Sequence, residues 1–388
     1  MTLLRYARRA AVVPVPAAPE PDGMISFGSG DAYPERLPDL GDLAHLAASR
    51  FRTETMQYAP RLWIGELREW IAGYLAADGI RVTADRVIVV NGAKHGLDLA
   101  CKLFVEPRDS VVVTSPTYMS ALGIFRGWEV EYLEIGQDGE GMRVDELAER
   151  LGELERAGRP LPKLVYDVPE FHNPTGVTVS APRRRALVAL AQRYGLMIVE
   201  DDPYRRIRFE GAPVAPMQSV DESGCVIGLG TFAKLVAPGL RVGWVVATPE
   251  IVGRMAALKS DGGSCPLTQR LVLEYCRAGR LEPHIRDVVK TYAGHRDIML
   301  AALARHLPGA RCVVPQGGYY LWLRLPDGID ADRLAVAAAR RGVRVLPASQ
   351  FYATAGPATH VRLAYSYASA SEIAEGVRRL AQALEEAR

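Results

Sequence analysis

Between residues 87 and 247, short apolar runs rich in β-branched residues alternate with longer helical patterns. No other feature restricts the fold as strongly. "VIVV" (87–90) leads into "GAKHGLDLACKLF", "VVVT" (111–114) into "YMSALGIF", and "VEYLEI" (130–135) into "VDELAERLGELER". "KLVYDV" (163–168) leads into "APRRRALVALAQRYG", and "LMIVED" (196–201), "CVIGLG" (225–230) and "RVGWVVA" (241–247) follow. Strands this apolar are buried on both faces. Separated by helices of about ten residues or more, they predict an α/β fold with a mostly parallel central sheet sandwiched by helices.

Past residue 250 the pattern changes. Long helical stretches precede the strand-like "GGYYLWLRL", and the chain closes on "SASEIAEGVRRLAQALEEAR". There Ser369 and Glu372 have capping-box spacing, with Ile373, Val377, Leu380 and Leu384 on one buried face. This predicts a smaller α+β domain. The expected division is a large domain at 48–255, with 1–47 and 256–388 forming a small domain that carries an N-terminal arm. The basic, then proline-rich start "MTLLRYARRAAVVPVPAAPEPDG" has no signal-peptide apolar core, because Pro14 and Pro16 interrupt it.

The 388 residues carry a formal net charge of only +2, which gives no electrostatic case for a nucleic-acid partner. No apolar run approaches the ~20 residues of a membrane helix. The cysteines (Cys101, Cys225, Cys265, Cys276 and Cys312) are scattered and form no CxxC pair, so no metal site is expected and a reduced, cytoplasmic setting is.

Sheets of this kind bind ligands beyond the carboxyl ends of their strands. After "VIVV" come Gly92, Ala93 and Lys94, opening a helix whose amides suit an anion. "SPTYMS" places Tyr118 at the mouth, and "PEFHNPTG" places His172 and Asn173. Asp201 and Tyr204 end "LMIVEDDPY", while Thr231, Lys234 and Arg241 follow "CVIGLG". "GLGTFA" matches a dinucleotide-binding GxGxxA, but Pro238 and Gly239 would break the helix that such a site needs. The gathered set suits pyridoxal 5'-phosphate instead. That cofactor needs a lysine for its imine, a carboxylate at its ring nitrogen, a donor at its ring oxygen, a flat side chain on its face and a phosphate cup.

With these residues assembled, the chain resembles the fold-type I pyridoxal-phosphate aminotransferases of class I and II, in the aminoadipate/kynurenine branch. "HNPTG", "DDPY" and "TFAK" followed by "PGLRVGW" carry the resemblance, which runs from "MISFGSGDAYPERLP" to "HVRLAYSYAS". It implies that Lys234 holds the cofactor and then moves the α-proton. Asp201 would pair with the ring nitrogen, Tyr204 and Asn173 with the ring oxygen, and Tyr118 would stack on the ring. Thr231, Arg241, Gly92 and the amides of Ala93 and Lys94 would hold the phosphate. Tyr58 would reach the phosphate of a neighbouring subunit, which implies a homodimer with shared sites. Arg362, with Gly30 and Asn173, would take the substrate α-carboxylate.

Some positions depart from the family pattern. Trp63 stands for a glycine and Arg61 for a threonine in the substrate segment. Ala93 and Lys94 stand for serine and glutamine in the phosphate cup, Ala233 for the serine before the lysine, and Ala348 for the glycine after Pro347. His95 and His172 read as local structural residues, and Tyr319–Trp322 as core strand rather than substrate wall. The resemblance implies transfer of an amino group from an α-amino acid to a 2-oxo acid. The departures keep elimination, replacement, cyclisation, decarboxylation or oxidation open as an alternative. A ligand-sensing regulator would need a DNA-binding domain ahead of "MISFGSG", where only a short proline-rich stretch stands.

Overall fold

The computed structural model describes residue 7, residues 9–10, residues 21–59 and residues 63–387. Arg61 and most of the expected N-terminal arm lie outside the described residues. The strands in chain order are β1 (Ile25–Ser26), β2 (Val87–Val90), β3 (Ser110–Ser115), β4 (Glu131–Asp138), β5 (Gly141–Met142), β6 (Leu164–Asp167) and β7 (Met197–Asp201), then β8 (Val226–Thr231), β9 (Gly243–Val246), β10 (Tyr320–Arg324), β11 (Val343–Arg344), β12 (Leu346–Pro347) and β13 (His360–Ala364).

The central sheet has the order β2-β9-β8-β7-β6-β3-β4-β5. Strands β8, β7, β6, β3 and β4 run parallel. Strand β9 runs against both of its neighbours. The reversal has a local cause. A parallel return needs a crossover, usually a helix, and between β8 and β9 the chain has only turns and the 3-10 segment Pro238–Leu240. Alternate residues of each strand feed opposite layers. Val112, Val165, Ile198 and Val226 pack with Leu147, Leu151, Leu187 and Val188 of two helices on one face. Val111, Val113, Tyr166, Val199 and Ile227 join the larger core on the other. Each such fully buried aliphatic side chain contributes roughly 1.5–3 kcal/mol.

Strands β10, β13 and β12 form a separate antiparallel sheet. The last helix, Ala370–Glu386, begins with the expected capping box at Ser369 and Glu372 and buries Ile373, Val377, Leu380 and Leu384. Strand β1 pairs with β11, Ile25 opposite Val343 and Ser26 opposite Arg344. This short pairing brings residues 28–31 to the edge of the central sheet's mouth.

Asp167, at the end of β6, is fully buried, and neither carboxylate oxygen has a hydrogen-bond partner. Burial pushes its pKa up to about 7; the Val168 amide and Arg184 offset this only in part, and Glu200 on the next strand adds to it. A folded pKa above the ordinary ~3.9 means that the fold favours the protonated acid. Stability from this group is therefore greatest below about pH 4 and falls as pH rises toward 7. Asp167→Asn is expected to raise the melting temperature at pH 8 by roughly 3 °C more than at pH 5. Equal changes at the two pH values, read by thermal melts, would discard the buried-charge account.

Candidate active site

A cavity of about 360 Å³ opens at the carboxyl ends of the central strands, and residues 28–31, β10 and β13 close it from the other side. Lys234 lies in the turn after β8, partly buried. Its Nζ donates to the Gly30 carbonyl at 2.5 Å and lies 4.9 Å from the centre of the Tyr319 ring. Burial, then Arg362 and Arg241, hold its pKa below the ordinary lysine range, against the opposing pull of Tyr320 and Asp31. A lysine in this state is a better base near neutral pH than a solvated one.

Asp201 ends β7. One of its oxygens accepts from the Tyr166 hydroxyl at 2.7 Å, and the other is buried with no partner. Burial pushes its pKa up to about 6, the Tyr166 bond works against that, and Asp202 adds to it. Asp202 itself turns away into an ion pair with Arg205. Tyr204 follows in the same loop, buried, with its hydroxyl donating to the Tyr320 hydroxyl at 3.3 Å. Tyr118, at the start of the helix Met119–Gly127, lines the cavity, and burial pushes its pKa up to about 12.

The anion-binding corner is built from two turns. Gly92 has φ +83°, and a Cβ there would meet the Arg241 guanidinium at 2.7 Å, so only glycine fits. The helix starts at Ala93, which leaves its first amides without helical partners. Arg241, itself left-handed at φ 54°, donates to the Asn91 carbonyl at 2.9 Å and ties the turn after β8 to the turn after β2. The Thr231 hydroxyl accepts from the Ala233 amide at 3.0 Å. Lys94 is exposed at the rim.

Arg362, on β13, is only 4% exposed. Its guanidinium donates to the Asn173 side-chain oxygen at 3.0 Å and to the Gly28 carbonyl at 2.5 Å, while Nε has no partner. Among the described residues no carboxylate pairs with it. A buried cation without a counter-charge is costly, and a bound carboxylate would relieve that cost.

The cavity thus unites Gly30, Gly92, Ala93, Lys94, Tyr118, Asn173, Asp201, Tyr204, Thr231, Lys234, Arg241 and Arg362. Tyr58 is not among its lining residues and is 86% exposed. His95 accepts from the Asn91 amide four residues away, and His172 bridges Thr175 in its own turn to Thr114 on β3. Tyr320 differs from expectation: as the first residue of β10 it lines the cavity. Tyr166 was likewise unmarked in the sequence. A phenol in a short buried strand was the available signal, since a buried hydroxyl requires a partner.

The site fits pyridoxal 5'-phosphate. The orphaned Asp201 oxygen matches a protonated ring nitrogen, the corner at Gly92 and Arg241 matches a phosphate, and Lys234 lies in the same cavity. Residues 22–380 match the class I and II aminotransferases. The chain is 36% identical to aromatic-amino-acid aminotransferase 1 of Thermococcus litoralis, over 95% of this chain and 89% of that one. It is 34% identical to the 2-aminoadipate transaminase of Thermus thermophilus, over 93% and 90%. The crystal structure of the Pyrococcus horikoshii kynurenine aminotransferase superposes with a TM-score of 0.92 at 34% identity, covering 98% of this chain and 97% of that one. The fold and site define a fold-type I enzyme that uses pyridoxal 5'-phosphate. The chain belongs to the class I and II aminotransferase family, and its relatives favour amino-group transfer between small amino and oxo acids over the alternative carbanion chemistries.

Proposed function

We propose that this single cavity performs the transfer with Lys234 as the attachment point and proton carrier, Asp201 as the partner of the ring nitrogen and Arg362 as the clamp on the substrate carboxylate. One observation carries the proposal: a depressed lysine, a half-unpaired buried aspartate and an uncompensated buried arginine share about 360 Å³. When bound, pyridoxal phosphate supplies an aldehyde for the amine and a protonated ring that withdraws electrons from the α-carbon. Arg362 orients the amino acid through two parallel donors, with Asn173 fixing the guanidinium. Lys234, freed from Gly30, takes the α-proton and returns it elsewhere. Asp201, backed by Tyr166, carries the negative charge that keeps the ring nitrogen protonated. Tyr204 donates to the ring oxygen, Tyr118 covers the ring face, and Gly92, Ala93, Lys94, Thr231 and Arg241 receive the phosphate.

The proposal extends to a cytoplasmic homodimer in which the exposed Tyr58 serves the neighbouring subunit's phosphate. In it, residues 48–255 form the cofactor-holding domain and the remainder the smaller one. The described residues include no helix long and apolar enough to cross a membrane. Borohydride reduction of the protein loaded with pyridoxal phosphate, followed by peptide mapping, is expected to place the label on Lys234. A label on Lys94, or on neither lysine, would refute the assignment.

A further inference from the structure

Tyr320 touches three parts of the site at once. Across the antiparallel pair, Tyr320 lies opposite Ala364 and Trp322 lies opposite Arg362, so Tyr320 and Arg362 are diagonal neighbours on one face. The Arg362 guanidinium carbon sits 4.1 Å from the centre of the Tyr320 ring. At the other end of the ring, the hydroxyl occupies the space a side chain at residue 30 would need. A Cβ on Gly30 would lie 2.0 Å from it. The same hydroxyl is 3.3 Å from that of Tyr204. The ring therefore supports the carboxylate clamp, while the hydroxyl reaches the group assigned to the cofactor's ring oxygen.

A phenol has one proton to give and two lone pairs to receive with. In the structure the Tyr204 proton points to Tyr320. For Tyr204 to donate to a ligand instead, the Tyr320 hydroxyl must turn and donate to the Tyr204 oxygen. Such a chain polarises each member and strengthens the outer bond. Both side chains are 4% exposed, so water does not compete freely for these positions. We propose that the Tyr320 hydroxyl is a positioning group for the transfer reaction, donating to Tyr204 and directing the Tyr204 proton at the ring oxygen of the bound cofactor. This rests on the function proposed above.

The ionisable groups around the two phenols come from several elements: Tyr118 before its helix, Tyr319 before β10, Lys234 after β8 and Arg362 on β13, with Asp31 and Arg241 acting on Lys234. Burial holds Tyr204 well above the ordinary phenol range, so it remains a proton donor throughout the accessible pH range.

The test is a pH titration of the visible absorbance of the loaded enzyme. A donor to the ring oxygen binds most strongly when that oxygen bears its full negative charge and shares no proton with Lys234, so it favours the deprotonated side. Weakening the donor moves the midpoint to higher pH. Tyr320→Phe is expected to raise the midpoint by roughly half a unit, the scale of one neutral hydrogen bond. In a Tyr204→Phe background the same change is expected to have no further effect. Tyr320→Phe keeps the ring beneath Arg362, so KM for the amino acid moves less than about twofold, whereas Tyr320→Leu raises it about tenfold. An unmoved midpoint in Tyr320→Phe, or an equal shift with and without the Tyr204 hydroxyl, overturns the proposal. A wild-type protein that takes up pyridoxal phosphate but shows no such titration overturns the assignment of Lys234 itself, a separate outcome.

Discussion

Lys234→Ala is expected to lower kcat by more than about ten-thousandfold, because it removes both the nucleophile and the general base. The cavity offers no substitute. Its other lysine, Lys94, is exposed at the rim. The variant should keep its fold, because the Nζ makes a hydrogen bond to the Gly30 carbonyl and a contact with the Tyr319 ring, and neither joins two core elements. Far-ultraviolet circular dichroism and single-turnover conversion of bound cofactor would be measured together. Partial recovery of turnover by a small primary amine would identify the missing function as a base. Loss of activity with loss of fold, or near wild-type turnover, would remove Lys234 from this role.

The second large effect is expected at Arg362. Arg362→Ala should raise KM for the amino acid by roughly a hundredfold, with a smaller change in kcat, because a buried charged pair is lost in ground state and transition state alike. Arg362→Lys should recover only part of this. A lysine keeps the charge but not the planar fork that addresses both carboxylate oxygens, nor the flat face packed against Tyr320 and Phe351. Steady-state kinetics with an amino acid and its matching amine lacking the carboxylate separates the roles. The amine should be indifferent to the substitution. If both substrates suffer equally, Arg362 supports the fold and not the carboxylate.

Much of this was legible in the sequence because it depends on local order. Apolar runs between helices specify the layered sheet, and residues at or just past each strand's carboxyl end fall at the mouth whatever the details of packing. Asp201, Thr231 and Lys234 are of this kind. The reversed strand β9 was less legible, although the Pro238–Gly239 turn that causes it was plain; the sequence pattern of a buried strand does not carry its direction. Tyr320 and Tyr166 were missed for another reason. Each sits in a run that reads as core, and their function depends on which long-range neighbour meets the hydroxyl. Such neighbours, Tyr204 for one and Asp201 for the other, are set by tertiary packing. Asp167 was equally invisible, since an acid at a strand's end looks the same whether solvated or sealed.

The β1–β11 pairing has a consequence for how the enzyme comes into being. The carbonyls of Gly28 and Gly30 hold Arg362 and Lys234, so the cavity is completed by segments more than three hundred residues apart in sequence. During synthesis β2 to β9 leave the ribosome before β13, so the central sheet precedes the strand that carries Arg362. Completion of the cavity is therefore tied to the emergence of β13 and not to that of the central sheet.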